Sequence, residues 1–461
     1  TEDDILQGIE AGNVSMPIKN ALINGAQSLF GLKTKLQFGK TSITGVFSQQ
    51  NSESKTVVAE AGASIQEFEL RTTDYDNDRH FFLSQFFIDN YANSLKQYPL
   101  VSSQVNITRI EVWITNRNAT TDDFRSIVAL ADLGELNKPN TDYKNLVDDK
   151  NTVQPLNPVG INTNGETYYL PQNEANNIYS TTTLNGIRDI SSVDNTLQMQ
   201  FQMEQGTDYS ILENARKLTN NEYTLNSQLG YISLNRRLND GEVLAVAYEY
   251  TVAGSVSGST EKSFKVGEFS NDGVQAPQNL AVKLLRSEVL QTVRQNPTTN
   301  ETEAFPTWRL MMKNIYALGA YPLSRDGFRF EIQYRDDQTG IASNILQNAN
   351  TPNIPNTPLI QVLNLDQLDQ SQFRTADGFF DYVEGITVNS PNGYIIFPEP
   401  EPFGNDLILD PSDPNDIGLD ENLDEQFLFK ELYLNTKINI QNNFQAKDKY
   451  FLKGYFKSET A

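Results

Sequence analysis

The stretch FGLKTKLQFGKTSITGVFSQ, residues 30–49, lies within the segment 12–55, GNVSMPIKNALINGAQSLFGLKTKLQFGKTSITGVFSQQNSESK, and its period decides how the chain is read. From Phe30 to Phe38 the even positions carry Phe30, Leu32, Thr34, Leu36 and Phe38, while the odd ones include Lys33, Lys35 and Gln37. That alternation gives a strand one apolar and one polar face. Gly39-Lys40 suits a type II′ turn, which pairs Phe38 with Thr41, Leu36 with Ile43, Thr34 with Gly45 and Leu32 with Phe47. One apolar face therefore continues across both strands. It can lie against a protein core or against lipid, and by pattern alone a soluble hairpin is the commoner case.

Composition bounds the rest. A length of 461 residues suits about three domains. Hydrophobic content of 38% and a mean hydropathy of -0.48 fit folded material bathed in water. With 59 acidic against 36 basic residues the net charge is -23, which opposes phosphate backbones, so nucleic acid is not an expected partner. The chain has no cysteine, which removes disulfides, thiolate nucleophiles and cysteine metal sites. Its single histidine, His80, leaves no multi-histidine metal centre, and any Ser-His-Asp triad must use it. Set in RHFFLSQFF among aromatics, it reads as a packed or surface ring. No Walker loop, Rossmann fingerprint or nucleophile elbow is present, and no cofactor is expected. No apolar run approaches the ~18 residues a membrane helix needs, so any spanning part must be β. The acidic start TEDDILQG does not read as a signal peptide and fits a segment of a longer precursor.

Along the chain, Ala59 to Thr72 reads as a strand. The aspartates of Asp74 to Asp78 resemble half of a calcium loop, but Arg79 replaces the turn glycine and Gln85 the bidentate glutamate, so a solvated acidic turn is expected. Leu83, Phe87, Tyr91, Leu95 and Tyr98 predict a helix over 81–98, stopped by Pro99. Val105 to Thr115 reads as a strand buried on both faces. Residues 136–195, rich in Asn, Thr, Asp and Pro, read as a surface excursion. LQMQFQME from Leu197, Tyr231 to Asn235 and Val243 to Val252 read as strands. Pro306-Thr307 ahead of Trp308, Met311, Met312, Ile315 and Tyr316, with Gly319 beyond, predicts a capped helix. Phe328 to Arg335 alternates as a half-buried strand. The tracts 350–358 and 398–402 and the acidic run from Asp410 read as extended loops. Tyr450 to Phe456 reads as a last strand, returning beside the first hairpin.

An internal repeat stands out. EYTLNSQLGYISL, residues 222–234, aligns without gaps on GITVNSPNGYIIF, residues 385–397, matching Thr224 with Thr387, Asn226 with Asn389, Ser227 with Ser390, Gly230 with Gly393, Tyr231 with Tyr394 and Ile232 with Ile395. Each copy predicts a strand, a polar turn and a strand, in equivalent β-domains.

The strings AGNVSMP, LFGLKTKLQFGK, SQQNSESK, RHFFLSQFF, ITRIEVWITNR and IVALADLGE together resemble the SprA/Sov family, the outer-membrane translocon of the type IX secretion system of Bacteroidetes, also needed for gliding. GYISLN, EVLAVAYEYT, MMKNIY, FRFEIQYRD and IIFPEPEPFG carry the likeness over nearly the whole chain. The resemblance implies a mainly β, α+β fold, with β-sandwich-like domains inserted between strands of a giant outer-membrane β-barrel. It implies a conduit for folded cargo with a C-terminal signal domain, working with a PorV-like outer-membrane protein and a periplasmic plug protein. The chain then divides into a barrel hairpin with its approach (1–57), an α+β domain (58–135), a linker (136–196), a β domain (197–275), an α+β domain (276–430) and returning strands (431–461).

On this reading Leu32, Leu36, Ile43 and Phe47 face outer-membrane lipid and Lys33 and Lys35 face the lumen. A one-residue slip would place each lysine in hydrocarbon at about 2 to 4 kcal/mol. Most of the chain is then extracellular, as a cap or rim, and no catalytic, metal or cofactor residue is expected. Two other classes stay open: a cell-surface adhesin or glycan-binding β-domain protein, and a carboxylate glycosidase using a pair such as Glu399 and Glu401.

Overall fold

A computed structural model describes residues 6–15, 28–38, 41–48, 58–60, 63–117, 124–136, 153–163, 166–295, 300–337, 339–411, 413 and 416–459. The chain forms two units, Thr1–Val57 and Val58–Ala461. In the first, β1 (Leu6–Ser15), β2 (Ser28–Phe38) and β3 (Thr41–Ser48) make an antiparallel sheet in that order. The β2–β3 register is the expected one, with Phe38 opposite Thr41, Leu36 opposite Ile43, Thr34 opposite Gly45 and Leu32 opposite Phe47. β1 was not legible in the sequence. It pairs with the other edge of β2, Ile9 opposite Thr34 and Ala11 opposite Leu32, with a register shift between Leu6 and Gly8.

The second unit begins with β4 (Val58–Glu60) and β5 (Ala63–Arg71), then β6 (His80–Phe82), helix α1 (Gln85–Leu95), β7 (Val105–Ile114) and β8 (Phe124–Leu130). A ribbon of β9 (Gly160–Thr163) and β10 (Glu166–Tyr169) precedes α2 (Thr181–Ile187) and α3 (Ile190–Phe201). Next come β11 (Tyr209–Lys217), the hairpin β12 (Tyr223–Asn226) and β13 (Tyr231–Leu234), then β14 (Leu244–Val252), β15 (Ser263–Val266) and β16 (Leu280–Arg286). The ribbon β17 (Val293–Gln295) and β18 (Thr302–Ala304) leads to a helical turn, α4 (Pro306–Leu310), and to β19 (Ile315–Ala317), β20 (Arg329–Arg335) and β21 (Ala342–Ser343). The hairpin β22 (Val388–Asn389) and β23 (Tyr394–Ile396) and the long β24 (Tyr450–Glu459) complete the strands used below.

Strands β7, β14, β16, β8 and β11 close on themselves. β14 pairs with β7 and β16, β16 runs parallel to β8, β11 pairs with β8, and Arg216 and Lys217 of β11 return opposite Ile114 and Trp113 of β7. Val112, Ile127, Ala129, Leu244, Val246 and Leu284 are fully buried in this barrel. The mainly β, α+β class therefore holds, with a small barrel and several smaller sheets where sandwich-like domains were expected. The barrel draws strands from both sides of the expected boundaries at 135/136, 196/197 and 275/276.

The other large sheet has the order β21-β20-β24-β5-β4. In β20, Phe330, Ile332 and Tyr334 are buried and alternate with exposed Arg329, Glu331 and Arg335, as their period predicts. On the polar face Phe451 is still buried, because the guanidinium groups of Arg71 and Arg335 lie over its ring at 4.8 and 4.4 Å. β24 returns beside β5 and β20 rather than beside the first hairpin, with Glu459 opposite Ala63 and Phe451 opposite Arg71.

Five local expectations are corrected. The helix expected over 81–98 starts at Gln85, because Phe81 and Phe82 are drawn into pairing with Ile232 and Tyr231 of β13; its apolar stripe of Phe87, Tyr91 and Leu95 is buried as foreseen. Residues 153–196 are no surface excursion, since Val159, Ile161, Leu170, Ile178, Ile187 and Val193 are buried. LQMQFQME is mostly helix: Asp189 caps the Ser191 N–H of α3 and Val193, Leu197 and Phe201 recur every four residues on its buried side, while Met199 is exposed. The helix expected from Pro306 to Tyr316 is one turn, because Ile315 to Ala317 pair with β23. In the acidic run, Asp424 is buried and accepts the Asn350 and Thr351 N–H groups at 2.8 and 2.7 Å.

The repeat is real in three dimensions. Asn226 faces Tyr231 and Leu225 faces Ile232 in β12–β13, and the aligned Asn389, Tyr394, Val388 and Ile395 pair in the same way in β22–β23. Both turns are closed by the asparagine side chain, which accepts the Leu229 N–H at 3.0 Å in one and the Asn392 N–H at 3.1 Å in the other. Both end on a glycine in the left-handed region, Gly230 at φ +64° and Gly393 at φ +70°. Each hairpin also receives a third strand in the same manner. The Leu83 and Leu318 N–H groups donate to the Gly230 and Gly393 carbonyls, and the Leu234 and Phe397 N–H groups donate to Arg79 and Asn314.

Candidate functional site

Among the membrane-site expectations, the backbone places Leu36 opposite Ile43 and Leu32 opposite Phe47, with Lys33 opposite Val46 and Lys35 opposite Thr44. Leu36 is half-buried and Lys35 exposed. The side chains of Leu32, Lys33, Ile43 and Phe47 lie outside those described. Registered partners in an antiparallel pair share a face, so the four apolar positions fall on one side of the sheet and both lysines on the other. Among the described residues no helix is long and apolar enough to cross a membrane.

A polar network in the second unit surrounds His80. Its Nε2 lies 3.2 Å from Asp76 Oδ2 and its Nδ1 2.7 Å from Ser233 Oγ. A carboxylate only accepts, so Nε2 carries the proton and Nδ1 accepts from the Ser233 hydroxyl. Arg79 reaches Asp76 Oδ2 at 3.0 Å, and Arg237 holds Oδ1 with Nε at 2.8 Å and Nη2 at 2.5 Å. Burial would raise the Asp76 carboxyl, but its bonds to His80, Arg237 and Arg79 outweigh that and hold it well below the usual carboxylate range. Burial lowers the His80 imidazole, which stays neutral against the edge of Tyr394 at 5.2 Å between ring centroids.

The order Ser233, His80, Asp76 is that of a hydrolytic triad. Two features oppose proton transfer here. The ring and carboxylate are both about 1% exposed, and two guanidinium groups already neutralise the charge that would support an imidazolium. The arrangement ties β6, β13 and the 74–78 turn together. The solvated acidic turn is thereby corrected: Asp74 accepts the Arg71 N–H, Asp76 is buried, and Asp78 pairs with Arg286 at 3.2 Å. Among the described residues no group of three or more His, Cys, Asp or Glu side chains is placed to hold a metal ion.

Sequence reasoning read His80 as a packed or surface ring and missed Asp76, Ser233 and Arg237 as its partners. One signal was available, since the repeat aligns Ser233 on Ile396, a polar residue where the sister copy is apolar. Glu399 and Glu401 sit in the proline-rich loop, each beside Asp406. Asn364 donates to Glu399, whose carboxyl burial and the nearby Asp406 push well up. Asn405 donates to Glu401 Oε2 at 2.7 Å, while the Glu401 N–H donates to Asp406, a carboxyl raised to about 7 by burial and by Glu401. Lys313 is buried, donates to the Trp308 and Met311 carbonyls at 2.9 and 3.1 Å, and is lowered by burial to about 7.

The family model of the SprA N-terminal region, described as a motility related/secretion protein, matches residues 1–237. No curated protein matches the chain. The match stops between β13 and β14, inside the second unit, so the fold continues past the matched region into strands that complete the same barrel. Covering just over half of the 461 residues, and including the hairpin, α1 and the first repeat copy, this match settles the relationship: the chain belongs to the SprA N-terminal family of motility and secretion proteins.

Proposed function

We propose that this chain is a structural segment of the type IX secretion translocon in the outer membrane, with residues 58–459 forming a folded insertion between two neighbouring barrel strands. The observation that carries this is that the unit's first and last strands, β4 and β24, flank β5 in one sheet, with Val58 and Lys457 both opposite Ile65. Adjacent strands of a barrel lie about 4.8 Å apart, so an insertion between them must take up the chain and return it at nearly the same point. A unit that opens on β4 and ends on β24, one strand apart in the same sheet, comes close to that requirement. The two-residue link between β2 and β3 is short, as periplasmic turns of such barrels are, and the long connection after β3 then belongs outside the cell.

In this role the unit caps or rims the pore without catalysing a reaction. Its partners are outer-membrane lipid, a PorV-like protein, a periplasmic plug protein and cargo with a C-terminal signal domain. Cysteines introduced at Leu36 and Lys35 test the membrane part: the first should react with a lipid-soluble probe and the second with a water-soluble one, and the reverse labelling contradicts the proposal. A second reading, a glycan-binding surface module, is favoured by one feature. A cavity of about 200 Å³ beside Phe86 and Tyr91 is lined by the amides of Asn90, Gln97 and Gln228. Saturable binding of a neutral oligosaccharide, abolished by Gln228→Ala, would support that reading.

A further inference from the structure

The cavity beside Phe86 and Tyr91 is lined mainly by three stretches of the second unit: helix α1, the segment 102–105 that leads into β7, and the turn between β12 and β13. Its floor is apolar and its rim is not. Phe86, Phe87, Ile161 and Leu229 are buried, whereas Gln97, Ser102 and Gln228 are exposed at its edge. In a chain with 59 acidic residues, no carboxylate is among the described residues that line it. Lys96, the one charged lining residue described, is paired with Asp413. Such a lining suits an uncharged ligand. A volume of about 200 Å³ is smaller than the ~300 to 1,000 Å³ of pockets for drug-sized molecules, and suits a single ring.

The sister hairpin isolates what the turn contributes. The repeat aligns Gln228 on Pro391 and Leu229 on Asn392. Both turns are closed by asparagine and end on a left-handed glycine, so the exchange keeps the turn and changes what it presents. One copy offers an exposed carboxamide next to a buried leucine, and the other a proline that has no amide to offer.

We infer that the cavity holds one acetamido sugar, a hexose bearing an N-acetyl group, with the acetyl methyl against the apolar floor and its amide on the Gln228 carboxamide. The inference rests on the glycan reading of this cavity and is independent of the barrel insertion. A plain hexose offers hydroxyl groups, and two neighbouring hydroxyls are held best by a carboxylate, which accepts from both; the described lining lacks one. An acetamido group offers one N–H and one C=O, which a carboxamide answers with its own C=O and N–H. Its methyl gains from leaving water, as a hydroxyl in the same place would not. A peptide supplies the amide too, but not the ring hydroxyls that Gln97 and Ser102 can meet at the rim.

Saturation-transfer NMR on the full chain tests this, with N-acetylglucosamine, glucose and N-acetylalanine methylamide as probes. N-acetylglucosamine should bind about tenfold more tightly than either of the others, the worth of one or two neutral hydrogen bonds. Gln228→Pro installs the sister turn's residue, and Gln228→Ala removes the carboxamide without constraining the backbone. Both variants should lose the preference at an unchanged urea midpoint. A preference kept by both variants overturns the inference. Equal binding of glucose also overturns it and leaves the glycan reading standing, while equal binding of N-acetylalanine methylamide overturns it in favour of a peptide. Saturable binding of none of the three overturns the inference and the glycan reading together.

Discussion

The two copies of the three-stranded sheet, β6 with β12–β13 and β19 with β22–β23, share a turn and a register but not a core. At the equivalent cross-strand position the first copy pairs His80 with Ser233 and the second pairs Ile315 with Ile396. One site is therefore a polar pair, with His80 buried and Ser233 half-buried, and the other a buried apolar pair. The difference teaches that the fold of each copy is set by its asparagine, its glycine and its third strand. The polar pair is tolerated because Asp76 and two arginines complete its hydrogen bonds, which a buried imidazole otherwise lacks.

The comparison breaks if the shared turn is dispensable in either copy. A Cβ at Gly393 would stand 2.0 Å from the Ala320 carbonyl oxygen, and one at Gly230 would stand 2.0 Å from Phe87 Cδ1. Together with the strain of a left-handed φ, Gly393→Ala and Gly230→Ala should each cost about 4 kcal/mol in urea denaturation. Gly393→Ala should cost more, since a backbone carbonyl cannot rotate away as a ring can.

Next in size is Asp76→Ala. Removing the shared carboxylate leaves Arg79, Arg237 and the buried imidazole uncompensated, and a loss of about 3 kcal/mol is expected from the same measurement. A loss under 1 kcal/mol would mean that the network is not what sustains the polar pair.

A sharper test installs the second copy's pair in the first. His80→Ile and Ser233→Ile should each cost about 2 kcal/mol by orphaning the other partner, while the double variant should cost about 2 rather than 4. Secretion by cells carrying the double variant should persist in proportion to the protein's abundance. Additive losses would show that the two side chains act separately.

The smallest effect is in pH. The folded imidazole is lowered by burial, so below about pH 6.5 the unfolded chain binds a proton that the native state refuses. That part of stability is present above 6.5 and falls by about 1 kcal/mol per pH unit below it. Asp406 works in the opposite sense. Raised to about 7, it holds a proton in the native state that the unfolded chain has lost, so acidification relieves its burial. The wild type should therefore lose more stability than the His80→Ile, Ser233→Ile double variant between pH 6.5 and 5.5. Parallel pH profiles would contradict the assignment of His80 as a buried neutral ring.

What the sequence revealed follows the range of the forces involved. The β2–β3 register, the repeat hairpins and β20 were legible because side-chain alternation and turn chemistry act between near neighbours. β6 and β19 were not: Phe81 and Tyr316 sit in helical patterns and become strands only through partners at Ile232 and Ile395. α3 was misread because Leu197, Met199, Phe201 and Met203 alternate as well as they recur helically, and the exposure of Met199 decides between them. The His80 cluster joins residues 153 positions apart in sequence, so only the contrast of Ser233 with Ile396 hinted at it.

The central claim is that residues 58–459 are a folded insertion standing outside the cell. An epitope tag placed in the acidic loop at Asp413 tests it most directly, read by antibody binding and by added protease on intact cells. Binding and cleavage with the outer membrane unbroken are the expected result. A tag that stays protected until that membrane is disrupted would place the unit in the periplasm and contradict the claim.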